Sequence, residues 1–159
     1  MDDHSILARL ADLGVELPPP PTAVASYVPV RVSGSLAFVA GQVAMVDGAV
    51  LHPGIVGESS EASVTVEQAA EAARRGALQA LSALREALGS FERLAGIVQL
   101  TVYVACEPGF TGQPVVANGA SDLLVEVLGE AGRHARVAIG VGSLPLGTCV
   151  EVAVIAELH

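Results

Sequence analysis

The sequence predicts an α+β fold built on one mixed β-sheet, and three observations support that expectation. β-like runs fill residues 27–51, a helical stretch at 65–88 separates them from another run at 97–104, and a second helical stretch precedes two last runs between 134 and 158. Each helical stretch has one apolar stripe, so both helices must cover the same face of the sheet. Several strands are apolar on both faces, which leaves the other face of the sheet uncovered and makes self-association the expected solution. The expected order is β-β-β-α-β-α-β-β, with no internal repeat.

The elements follow from local patterns. Ile6, Leu7, Leu10 and Leu13 recur at helical spacing, so residues 3–13 read as a short amphipathic helix. Pro18 to Pro21 force an extended connector, and residues 1–23 are expected to form an extension to a domain at 24–159. Residues 27–32 read as a first strand, with Pro29 marking an edge. Gly34-Ser35 turns into a strand at 36–40 that ends at Gly41-Gln42. Asp47-Gly48 signals a hairpin pairing 42–45 with 49–51, and residues 52–62 read as a surface loop.

Thr65-Val66-Glu67-Gln68 has the form of a capping box at a helix start, and Gly89 suits the position just past the end. Between them Val66, Ala70, Ala73, Ala77, Leu81, Leu84 and Leu88 repeat every three or four residues, a small-residue face that can pack closely on a sheet. Residues 97–104 form a buried strand. Pro114 suits the first turn of a second helix, whose apolar face is Ala117, Ala120, Leu124, Val127 and Leu128. Residues 134–141 are a strand, 144–147 a turn and 148–158 a long final strand.

The 159 residues are enough to bury a core without disulfide or metal staples. Cys106 and Cys149 have no metal-motif spacing and read as buried reduced thiols, and the four histidines lie too far apart for a metal site; no cofactor is expected. The composition is 52% hydrophobic and only 16% charged, with a mean hydropathy of +0.57. No run approaches the length of a membrane span. The formal net charge is −9, and the eight basic residues are scattered. Nucleic acids and anionic membranes are therefore disfavoured partners. Arg74 and Arg75 read as a solvated helix face. The acidic start, Met1-Asp2-Asp3-His4, carries no signal-peptide pattern, so a cytoplasmic location is the default expectation.

Two charges interrupt apolar strands: Arg136 in Ala135-Arg136-Val137-Ala138-Ile139, and Glu151 in Val150-Glu151-Val152. A charge in such a run is costly to bury unless paired. If the last two strands form a hairpin around 142–147, the two residues fall nearly opposite each other and form a cross-strand ion pair. The other reading makes Arg136 a guanidinium fork for a ligand carboxylate, with Glu151 handling a proton or orienting water.

The segment from Ala135-Arg136 through Leu144-Pro145 to Val150-Glu151-Val152 resembles the signature of the RidA/YjgF family, including the fifteen-residue interval from Arg to Glu. Ala40-Gly41-Gln42-Val43 is similar to the family's Ser-Gly-Gln segment. Tyr27 has the spacing of its pocket tyrosine, and Asn118 resembles its helical asparagine. The resemblance spans about residues 24–158. It implies a chorismate-mutase-like fold and a homotrimer with pockets in the clefts between subunits. It further implies a small carboxylate ligand, with Arg136 and Glu151 catalytic and Tyr27, Ala40, Gly41, Gln42, Asn118 and Ala138 binding.

Family members with deaminase activity hydrolyse 2-imino or enamine acids to 2-oxo acids and ammonia without a metal or cofactor. This chain departs from the family at three pocket positions. Ala40 replaces the serine, Val137 replaces a small polar residue, and Ala138 stands where active deaminases often carry cysteine. A non-catalytic metabolite-binding trimer is therefore a second expectation. An endoribonuclease, a label attached to the family, is a third that the charge disfavours.

Overall fold

The computed structural model describes residues 2–22, 25–59 and 61–159. Helix α1 (Asp3–Asp12) starts at Asp2, whose carboxylate accepts from the His4 and Ser5 amides. Strands β1 (Val30–Ser33) and β2 (Leu36–Val43) lead to a small separate ribbon of β3 (Met45–Val46) and β4 (Ala49–Val50). Helix α2 (Val66–Leu88) has the capping box at Thr65 and Gln68, and Gly89 ends it in the left-handed conformation at φ 80°. Then come β5 (Leu94–Ala105), α3 (Gln113–Leu128), β6 (Ala135–Val141) and β7 (Val150–Leu158).

The main sheet has the order β1-β2-β7-β5-β6, with β6 parallel to β5 and the other pairs antiparallel. The predicted class holds, since one mixed sheet carries its helices on one side. Three particulars differ. The first strand begins at Val30, because Ala25 accepts from the Tyr27 amide in a bend and Pro29 follows; only the Pro29 carbonyl continues the pairing, accepting from Ala40. The 47–48 turn joins Met45–Val46 to Ala49–Val50, while residues 42 and 43 stay with β2 and pair with β7.

The third difference matters most. β6 and β7 are not a hairpin. The α3 crossover returns β6 parallel to β5, and the chain then passes the end of β5 so that β7 inserts between β5 and β2. Val150, Val152, Val154 and Ala156 are buried beneath the helices, which makes β7 the central strand. The passage is fixed where the Cys106 amide donates to Val141 and the Ala105 amide to the Cys149 carbonyl. Cys149 is fully buried as a free thiol, and desolvation pushes its pKa up to about 11.

The core lies between this sheet and α2 with α3. α1 docks on the outside of the helix layer: Arg85 pairs with Asp3 at 2.9 Å, and Arg9 donates to the Val127 carbonyl at the C-terminal end of α3. The proline run crosses α2, where Ser82 donates to the Pro18 carbonyl at 2.6 Å. The opposite face of the sheet is bare. Phe38, Tyr103, Val137 and Ile139 stand on it at 41%, 36%, 43% and 47% exposure, values high for large apolar side chains. Among the described residues, no helix is long and apolar enough to cross a membrane.

Small residues set the spacing between α2 and α3. A Cβ at Gly119 would lie 2.0 Å from the Ala70 carbonyl oxygen, which belongs to a helix backbone that cannot turn aside. In a helix interior Gly→Ala ordinarily stabilises by up to about 1 kcal/mol. At Gly119 the clash wins, because overpacking costs roughly 1–3 kcal/mol. Urea unfolding of Gly119→Ala should therefore show a lower midpoint than the wild type, and an equal or higher midpoint would contradict this packing.

Candidate functional site

The positions predicted as site residues fall into two groups. The first lies at the end of β2. Residues 18–22, Tyr27, Pro29 and Ala40 to Val43 line a groove of about 610 Å³, closed on the helix side by Arg75 and Gln79 of α2. The Gln79 side chain accepts from the Met45 amide at 2.9 Å, and Arg75 Nε donates to the Met45 carbonyl at 2.8 Å. Arg75 is thus a groove residue and not part of a solvated face; only its neighbour Arg74 reaches outward, to Glu126 at 2.9 Å. Tyr27 is half exposed. Gln42 is buried, and its amide donates to the Ala40 carbonyl across the irregularity that interrupts β2–β7 pairing.

Glu151 belongs beside this group. It sits on the bare face of β7 between Val43 of β2 and Tyr103 of β5. Its carboxylate lies over Gly41, where a Cβ would meet Glu151 Oε1 at 1.9 Å. Glycine at 41 therefore makes room for the acid. Among the described residues Glu151 has no ion pair. Desolvation raises its pKa above the ordinary carboxylate value.

The second group lies at the other edge. Arg136 on β6 is exposed, and its Nη1 donates to Asn118 Oδ1 at 2.8 Å and to Ser121 Oγ at 3.2 Å, both on α3. Ala138, two residues along, shares that face and packs on the core. Ser121 and His134 complete the cluster. Ser121 Oγ is 3.1 Å from His134 Nε2, and His134 Nδ1 is 2.6 Å from the Gly132 carbonyl. Sequence reasoning counted His134 among four scattered histidines and missed Ser121. Its one available signal was Ser121 standing one helical turn after Asn118.

The two groups do not meet within one chain. Arg136 pairs in register with Leu100, and Glu151 with Tyr103, so the two residues are two strand spacings apart across the sheet, roughly 10 Å, and three residues apart along it, roughly another 10 Å. They also lie on opposite faces, Arg136 against α3 and Glu151 on the bare side. The expected cross-strand ion pair is therefore absent, because β5 occupies the position a hairpin would have given to one of them.

Comparison with known proteins places this arrangement in a class. The family model of the YjgF/chorismate mutase-like proteins, which carries the endoribonuclease label, matches residues 7–158. The Trypanosoma cruzi protein TCP17 is 43% identical over 97% of this chain and 94% of its own length. A crystal structure of an Agrobacterium tumefaciens protein of unknown function, 39% identical, superposes with a TM-score of 0.90 over 99% of this chain and 94% of that one. Escherichia coli TdcF, solved with bound serine, shares the fold at 21% identity, with a TM-score of 0.58 over 87% of this chain and 92% of its own. The chain belongs to the YjgF/chorismate mutase-like family.

The raised pKa of Glu151 fixes the sign of a pH effect. The folded protein holds this proton more tightly than the unfolded chain does, so folding is favoured while the group is protonated. That contribution is lost as pH rises from the ordinary carboxylate value through the raised one. Glu151→Gln removes the desolvated charge while keeping the shape. Calorimetry should show it melting above the wild type at neutral pH, with the gap closing near pH ~4. A variant less stable at neutral pH would mean that the carboxylate has a stabilising partner.

Proposed function

We propose that the protein is a small-carboxylate-binding member of this family that works as a homotrimer and hydrolyses 2-imino or enamine acids to 2-oxo acids and ammonia. The observation that carries this reading is Arg136. It is an exposed guanidinium held by two neutral side chains, with no acid paired to it among the described residues, in a protein whose net charge is −9. Such a group recognises a carboxylate. The serine bound by TdcF supports a ligand of that size and chemistry for the family.

The reading places Arg136, Asn118 and Ala138 of one subunit against Tyr27, Ala40, Gly41, Gln42 and Glu151 of the next. The bare apolar sheet face supports association of this kind. Arg136 takes the carboxylate, and the backbone around Gly41 lines the cleft. Glu151 accepts a proton from water as its oxygen bonds to the imine carbon and the C=N electron pair moves to nitrogen. That proton passes to the nitrogen, giving a carbinolamine. Its hydroxyl then gives its proton to Glu151, which hands it to the nitrogen; as the O–H electron pair forms the C=O, the C–N bond breaks and its pair leaves with nitrogen, so the products are the 2-oxo acid and ammonia. The raised pKa of Glu151 supports its acting as both acceptor and donor.

A second reading, a metabolite-binding trimer without turnover, is favoured by Ala40 and Ala138, which leave the cleft short of hydroxyl and thiol groups. RNA cleavage has the charge of the whole chain against it.

The test couples an amino-acid oxidase, as the source of imino acids, to detection of 2-oxo acid. Wild type should speed release above buffer, and Arg136→Ala should lose about 100-fold in kcat/KM, the scale of two charge-assisted hydrogen bonds. Ligand-dependent melting shifts with no acceleration across several imino acids would replace the enzyme by the binder.

A further inference from the structure

With His134 as a neutral imidazole, the hydrogen bonds behind Arg136 have one consistent direction. A carbonyl oxygen only accepts, so His134 Nδ1, 2.6 Å from the Gly132 carbonyl, carries its hydrogen. In the neutral imidazole Nε2 is then bare and must accept. Its neighbour at 3.1 Å is the Ser121 hydroxyl, which therefore donates to it. That turns an Oγ lone pair toward Arg136, whose guanidinium has donors only.

Arg136 Nη1 has two hydrogens, and two acceptors meet them: Asn118 Oδ1 and Ser121 Oγ. Nη2 and Nε have no partner among the described residues. Nε–H and one Nη2 hydrogen run parallel along one edge of the planar group, the geometry that matches the two oxygens of a carboxylate.

We propose that Ser121 and His134 are positioning residues that lock Nη1 against α3 and so present the Nε–Nη2 edge of Arg136 to the ligand carboxylate. The proposal rests on the carboxylate-binding reading above and adds to it the engaging edge, the residues that aim it and the imidazole tautomer. Ser121 is the central link, since among the described residues it alone is hydrogen-bonded to both Arg136 and His134.

The role has two separate readouts. Nitrogen NMR of the imidazole should show His134 as the Nδ1–H tautomer, the form less common in free histidine. In the oxidase-coupled assay, Ser121→Ala should raise KM about tenfold with kcat little changed, because the lost anchor weakens ground and transition states alike. Ser121→Thr, which keeps the hydroxyl, should stay near wild type. An Nε2–H imidazole, or an unchanged KM in Ser121→Ala beside an active wild type, would overturn the proposal alone. A wild type that neither turns over imino acids nor melts higher with pyruvate would overturn the carboxylate-binding reading and this proposal with it.

Discussion

Strand β7 sits between β2 and β5, and the rest of the molecule is arranged around that insertion. Its helix-side residues, Val150, Val152, Val154 and Ala156, are buried to within 2% exposure, so the strand is held by apolar burial on that face and by backbone pairing on both edges. The same insertion carries Glu151 to the bare face beside Gly41 and leaves Arg136 on the edge strand, facing α3. One topological choice thus stabilises the core and divides the two conspicuous charges between two regions.

That division explains why the protein keeps an uncovered apolar sheet face. A sheet of five strands with helices on one side must cover the other or leave Phe38, Tyr103, Val137 and Ile139 in water. In the proposed trimer another copy covers it, and that copy's groove meets the Arg136 edge. Stability and site assembly then have the same origin. The proline run adds a wall to that groove, tied to α2 through Ser82 and Pro18.

Much of the fold could be read from residues with strictly local roles. The Thr65–Gln68 capping box, the small-residue stripe of α2, the αL glycine at 89 and the Asp47-Gly48 turn each depend on a few neighbours, and each appears where the pattern placed it. The order of strands depends on which apolar run wins the centre of the sheet, and runs 134–141 and 148–158 look alike by composition. Sequence proximity favoured a hairpin, whereas burial made β7 central and sent β6 to the edge. For the same reason the proposed site was legible as residue types but not as a geometry. Arg136 and Glu151 stood out because each interrupts an apolar strand, whereas Ser121 and Arg75 drew notice to no site because polar residues on helices are ordinary.

The central claim is that a carboxylate site needs two copies of the chain, one offering Arg136 and the other Gly41 and Glu151. A crystal structure of the assembly grown with pyruvate, the simplest 2-oxo acid, tests it directly. The account predicts the pyruvate carboxylate on the Arg136 guanidinium of one subunit and the remainder of the molecule beside Glu151 of its neighbour. Pyruvate held wholly within a single subunit, or an assembly that buries Arg136 away from any cleft, would contradict it.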